Sequence, residues 1–178
     1  VEEQRSSERS MAYWLVKSEL NKYSIDDLRR DGVTHWHGVR NYQARNYLRS
    51  MKRGDLVLYH HSVESPVGVV GIAKVAKEAY PDPSQFDAKS EYYDEKATQA
   101  APRWFCPDLE FVEKFDDTLS IGEIRALKGT EKMELLKPRS RLSVQPVSEV
   151  EFDAVVRCAR SNTPTARVVK ESTKKFNA

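Results

Sequence analysis

Apolar residues along this chain come in short bursts whose period switches repeatedly between two and about three and a half, the mark of strands and helices interleaved in one domain. Residues 13–16, Tyr-Trp-Leu-Val, read as a strand. Ser24 followed by Asp27 has capping-box spacing and opens a short helix predicted to end near Arg30. A second helix is predicted over residues 41–51, where Ala44, Tyr47, Leu48 and Met51 fall at i, i+3, i+4 and i+7 and make one core-directed stripe. Residues 56–59 and 67–75 are strand candidates rich in Val, Leu and Ile, separated by a Ser65-Pro66 turn. Gly68 and Gly71 inside the second of these mark close backbone packing or a bulge. A long loop over residues 80–102 leads to another strand within 104–115, and residues 142–147 supply one more. Ser120 with Glu123 and Ser148 with Glu151 have the spacing that starts two further helices. The pattern gives an α+β domain, and it does not reveal whether the strands close on themselves.

Composition narrows the class without naming it. A chain of 178 residues, 39% hydrophobic and 31% charged, can bury one full core without disulfide or metal support. Residues 1–10 carry no apolar period and precede Met11, so they read as a flexible leader; a single domain is expected over 11–158 and a polar tail over 159–178. No apolar run reaches bilayer-spanning length and the start lacks a signal-peptide core, which predicts an intracellular protein, cytoplasmic in a bacterium and nuclear in a eukaryote. Cys106 and Cys158 are isolated, with no Cys-x-x-Cys pair and no disulfide framework.

The richest chemistry lies in residues 36–46, Trp-His-Gly-Val-Arg-Asn-Tyr-Gln-Ala-Arg-Asn, which packs rings, amides and guanidinium groups into a loop feeding a helix. Such a mixture suits a flat polar ligand: a nucleobase offers a face for Trp36 to stack on and an edge for Asn41 or Asn46, with arginines holding phosphate. The plainer reading is that Trp36 anchors the core and the amides cap a helix. From Arg29 to Arg53 a single acid, Asp31, interrupts seven bases, although the whole chain is only +2. Arg40, Arg45, Arg49, Lys52 and Arg53 therefore form a candidate footprint for a polyanion backbone, or else a solvated helix face paired with acids elsewhere.

Four motifs in order point to a family. Residues 14–19 (Trp-Leu-Val-Lys-Ser-Glu), the loop at 36–46, residues 54–62 (Gly-Asp-Leu-Val-Leu-Tyr-His-His-Ser) and 68–73 (Gly-Val-Val-Gly-Ile-Ala) are followed by Tyr80-Pro81-Asp82 and Pro102-Arg103-Trp104. Together they resemble the EVE domain, which is similar in fold to PUA domains and distantly to YTH domains. The resemblance spans about residues 12–157. It implies a distorted β-barrel flanked by short helices, with a ligand pocket built from the 17–19 strand end, the 36–46 loop and the 59–62 strand end. Members commonly carry Pro after Lys-Ser-Glu; Leu20 stands there instead and frees that φ angle. On this basis the ligand-binding candidates are Trp14, Lys17, Ser18, Glu19, Trp36, Gly38, Val39, Arg40, Asn41, Asn46, Tyr59, His60, His61, Ser62 and Trp104. Modified cytosine in DNA is the leading implied ligand and a modified RNA base the next.

Other classes stay open at this point. His35, His37, His60 and His61 with Glu19 suggest metal only weakly, because neither a helical His-x-x-x-His nor paired cysteines occur, so no metal and no cofactor are expected. An enzyme acting on a nucleobase or nucleotide would use Cys106 with a histidine, or Glu19 with Lys17, yet neither pair sits in a recognisable catalytic signature. A protein-interaction surface at Tyr92-Tyr93 or along residues 110–117 is the third class.

Overall fold

Alternation along two neighbouring parallel strands separates two apolar layers, and the fold is the consequence. The computed structural model describes residues 10–161. Its strands are β1 (Tyr13–Ser18), β2 (Val33–His35), β3 (Leu56–His61), β4 (Gly68–Pro81), β5 (Phe105–Leu119) and β6 (Val144–Val147). Its helices are α1 (Ile25–Asp31), α2 (Tyr42–Ser50), α3 (Ile121–Arg125) and α4 (Glu149–Ser161). Trp14, Val16, Val57 and Tyr59 face one layer with Leu28 of α1 and Ala44 and Leu48 of α2. Leu15 and Leu58 face the other, against Ile124 of α3 and Phe152 and Val155 of α4. Side chains of adjacent strand residues point to opposite faces, so one strand feeds both cores.

The sheet is mixed, in the order β2-β5-β4-β3-β1-β6. β1 and β3 are parallel, joined through α1, β2 and α2, and the other pairings are antiparallel. Four register shifts between β4 and β5 and one between Tyr59 and His60 bend the ladder into the distorted PUA-like barrel, with β2 and β6 left as its hydrogen-bonded edges. Gly71 lies at such a point: a Cβ there would come within 2.3 Å of the Glu113 carbonyl oxygen, so the strands approach too closely for any side chain.

Local signals explain most element boundaries. Ser24 and Asp27 form a full reciprocal box at α1, as do Ser120 and Glu123 at α3. At α4 the Ser148 hydroxyl accepts from Glu151 N–H, the forward half of the predicted box. β4 and β5 run beyond the predicted 67–75 and 104–115, because the end of β4 pairs with the start of β5 (Tyr80 with Cys106) and the end of β5 pairs back to the start of β4 (Leu119 with Val69) where the apolar alternation has faded. β2 was not foreseen; it is three residues long, half exposed, and owes its form to pairing with β5. α4 runs to Ser161, past the expected domain edge at 158, and all but residue 10 of the expected leader (1–10) and all but residues 159–161 of the expected tail (159–178) lie outside the described residues.

Asp55 ties these pieces at their base. Its carboxylate accepts from Trp14 Nε1 at 3.1 Å, Ala12 N at 3.2 Å and Lys52 N at 2.9 Å, linking β1, the end of α2 and the start of β3. Replacing Asp55 by Ala strands buried donors and should lower stability by about 3 kcal/mol in urea unfolding. A change below about 0.5 kcal/mol would show that this junction is not a structural one.

Candidate functional site

The end of β1, Thr34 and His35 of β2 and the loop after β2 border a cleft of about 620 Å³. Lys17, Ser18 and Glu19 form one wall and Thr34 and His35 another. Residues 36–40 supply the third, and Glu91 and Tyr92 reach over from the long loop after β4. Lys22, Tyr23 and Ser143 complete the lining. Its size lies in the range of small-molecule sites.

Trp36 is both core anchor and cleft wall. It is 9% exposed, its backbone N–H donates to Pro107 O at 2.9 Å, and its ring meets Tyr59 edge-on at 5.4 Å. Tyr59 does not line the cleft. It is fully buried beneath Trp36, and its hydroxyl donates to Tyr23 O at 2.7 Å, so it positions the cleft from below. The turn that carries Leu20 closes without proline: Glu19 O accepts from Lys22 N and Tyr23 N, each at 3.1 Å, and the Ser18 hydroxyl donates to Tyr23 O at 2.7 Å.

The 36–41 loop is held by one carboxylate. Asp82 is fully buried and accepts from Gly38 N at 2.8 Å, Arg40 Nη1 at 3.0 Å, Ser84 N at 2.8 Å and Ser84 Oγ at 2.6 Å. Burial alone would raise its pKa, but the hydrogen bonds from Ser84, Gly38 and Arg40 outweigh it and hold the carboxyl below its ordinary range. Gly38 has φ +86°, and a Cβ there would lie 2.7 Å from the Tyr92 ring, so glycine lets that ring close down.

Arg40 is a brace, contrary to its expected role on phosphate. Its guanidinium donates to Tyr92 O through Nε (3.1 Å) and Nη2 (2.7 Å), to Val39 O and Asp82 through Nη1, and to Ser84 Oγ through Nη2. Those bonds engage all five donors an arginine has.

Several other predicted ligand residues lie outside the cleft. Trp14 is in the core on Asp55, and Asn41 caps α2 by accepting from Ala44 N at 3.0 Å. Asn46 is exposed on α2 and accepts from Arg45. Ser62 donates to Ser18 O at 3.3 Å and so backs the strand end. Trp104 is buried under Tyr42, stacked at 4.9 Å, with Nε1 donating to Asp94 at 2.8 Å. His61 accepts from Ile25 N at 3.1 Å and borders a separate depression of about 440 Å³. His60 is 2% exposed with neither ring nitrogen hydrogen-bonded. The predicted residues that do meet at the cleft are Lys17, Ser18, Glu19, Trp36, Gly38, Val39 and Arg40.

Sequence reasoning missed Lys22, Tyr23, Thr34, Glu91 and Ser143 and placed Tyr92 only on a protein-interaction surface; Thr34 reaches the cleft on β2 and the others through loops, and none carries a motif. His35 and His37 had been weighed only for metal; their rings lie 4.5 Å apart on the cleft wall, and His37 meets Tyr92 edge-on at 5.7 Å. Among the described residues no group of three His, Cys, Asp or Glu side chains is arranged to hold a metal ion. Cys106 is fully buried, and burial pushes its thiol up to about 12, the reverse of what an activated nucleophile needs.

The basic residues divide in use. Arg45 is held by Asn46 and Arg103 O, and Lys52 pairs with Glu78 at 3.5 Å. Arg49 lies over the Phe105 ring at 4.3 Å and is exposed, as is Arg53.

This sheet and cleft define an α+β PUA-like domain with a preformed cleft of small-molecule size. The chain belongs to the EVE-domain family, whose model matches residues 12–158. Thymocyte nuclear protein 1 of Gallus gallus is 40% identical over 168 residues, 84% of this chain and 69% of the relative. The Homo sapiens protein is 37% identical over 163 residues, 82% of this chain and 72% of the relative. A crystal structure from Pseudomonas syringae superposes with TM-score 0.81 at 43% identity, covering 83% of this chain and 99% of that one. Human THYN1, crystallised in complex with 5-methylcytosine-containing DNA, superposes with TM-score 0.79 at 34% identity, covering 85% of this chain and 99% of that one. Among the described residues no helix is long and apolar enough to cross a membrane.

His60, buried in β3 outside the cleft, gives a pH test of its surroundings. Burial first, then the charges of Lys17 and His61, lower its pKa to about 4. An unfolded histidine titrates near 6.5, so between these values the unfolded chain binds the extra proton and stability falls as pH drops. Urea unfolding of the wild type should lose roughly 2 kcal/mol from this group between pH 7 and pH 5. His60→Leu should flatten that limb, leaving the smaller same-sign contribution of His61, which burial also lowers. An unchanged slope in the variant would contradict a buried neutral His60.

Proposed function

We propose that the cleft accepts a single modified base from nucleic acid, with 5-methylcytosine in DNA as the leading ligand, and recognises it without chemistry. One observation carries this reading: Trp36, His37 and Tyr92 present flat rings beside the polar side chains of Ser18, Glu19 and Thr34, and the loop that carries Trp36 and His37 is fixed in advance by Asp82. Rings meet the faces of a base, and a carboxylate such as Glu19 accepts from the exocyclic amine of cytosine. The 34% identical human relative with its 5-methylcytosine DNA adds support from the same fold. Extruding a base costs a few kcal/mol, which stacking worth about 1–3 kcal/mol and phosphate contacts offset. With Arg40 committed to the loop, Arg49 and Arg53 are the main cationic groups for the backbone, helped by Arg45 and Lys52. The binding unit is residues 11–158, and a nucleic-acid ligand sets its work inside the cell, in the nucleus of a eukaryote or the cytoplasm of a bacterium.

Fluorescence anisotropy with matched DNA and RNA oligonucleotides tests the reading. Each would carry plain, methylated or hydroxymethylated cytosine, or methylated adenine, and DNA with 5-methylcytosine should bind tightest. Preference for an RNA member would move the ligand to modified RNA, and equal binding across the panel would remove the base-reading role. Reversing charge at Arg49 and Arg53 should weaken all members alike and reduce the salt slope by about 2, one for each lost phosphate contact. An unaltered slope would mean that these arginines stand clear of the backbone.

A further inference from the structure

An aromatic and guanidinium ladder leads out of the cleft. Arg40, at the cleft wall, lies 5.6 Å from the Tyr92 ring centre and 5.3 Å from that of Trp104. Trp104 in turn stacks on Tyr42 at 4.9 Å with 24° between planes. Tyr42 ends the ladder and is 49% exposed although it is a large ring packed on another.

Two guanidinium groups approach Tyr42, and about half of the residue still faces solvent. Arg45 lies 4.8 Å from the Tyr42 ring and 6.0 Å from the Trp104 ring. With the two rings 4.9 Å apart, those distances put the Arg45 guanidinium beside the stack, near a right angle from the Trp104 direction. Arg103 bonds the tyrosine hydroxyl and pairs with Asp94, so it guards the ring's polar end. Arg49, over Phe105, lies one helical turn beyond Arg45 on the same side of α2. An exposed flat ring, pre-stacked from below, flanked by Arg45 and Arg103 and with Arg49 exposed one turn along the helix, has the chemistry of a platform for one base and its phosphate.

We propose that Tyr42 is a second nucleotide station, which stacks an unpaired base next to the one held in the cleft while Arg45, Arg49 and Arg103 face its phosphates. The proposal rests on the base-binding reading of the cleft and adds the class of its ligand: a polynucleotide strand with an unpaired neighbour, in preference to a free nucleotide. The ladder through Arg40 and Trp104 fixes the spacing between the two stations, since none of its members is free to swing.

Binding of 5-methyl-deoxycytidine monophosphate and of a single-stranded pentanucleotide with central 5-methylcytosine, measured on wild type, Tyr42→Ala and Tyr42→Phe, tests this. Wild type should bind the strand about 10-fold or more tighter than the mononucleotide, the scale of one base–aromatic stack. Tyr42→Ala should erase most of that gain and leave mononucleotide affinity unchanged, whereas Tyr42→Phe, which keeps the ring, should retain it. Full gain in Tyr42→Ala would overturn the station, and so would equal loss in both variants, which would trace the effect to the hydroxyl and Arg103. If the mononucleotide failed to bind while Tyr42→Ala still weakened the strand, the cleft reading would fall and the station would stand.

Discussion

The buried Asp82 carboxylate is the constraint on which the shape of the cleft depends. A charge out of water is costly unless hydrogen bonds replace its hydration, and here Gly38, Arg40 and Ser84 do so. The same bonds bind the 36–41 loop to the segment after β4. Arg40 then extends the tie to the Tyr92 carbonyl, so the two loops are hydrogen-bonded into one unit. A binding site whose walls are ordered before the ligand arrives avoids the entropy cost of closing loops.

Trp36 shows how stability and recognition share a residue. Its ring completes the layer with Tyr59 and Val16, while its remaining surface is offered to the cleft. Truncating such a ring opens a cavity costing about 3–5 kcal/mol, so loss of binding in an alanine variant would not separate the two roles. Tyr59 and His60 carry the same logic further from the ligand: adjacent on β3, they face opposite layers and support the site without touching it.

Much of the fold was legible because apolar period and capping chemistry are local. α1 and α3 start where serine and acid are three apart, and α2 buries Ala44, Leu48 and Met51 as its period requires. β2 and the outer halves of β4 and β5 were not legible, since their form comes from pairing across the sheet. At the site, the 17–19 and 36–40 segments could be found from residue chemistry and family resemblance. Tyr92 and Glu91 could not, because a long loop folds back onto the cleft and no spacing records that return. Arg40 was misjudged for a related reason: its sequence neighbours are basic, but its partners Asp82, Ser84 and Tyr92 lie some forty to fifty residues away.

The three tryptophans offer a direct reading of where ligand lands, because each occupies a different place: Trp14 on Asp55 in the core, Trp104 beneath Tyr42, and Trp36 on the cleft wall. The decisive measurement is a titration of their indole N–H resonances by NMR with an oligonucleotide containing 5-methylcytosine. A saturable shift of Trp36, larger than with unmodified cytosine and with Trp14 stationary, is the predicted result. Binding that leaves Trp36 unmoved would place the ligand elsewhere on the protein and contradict the account.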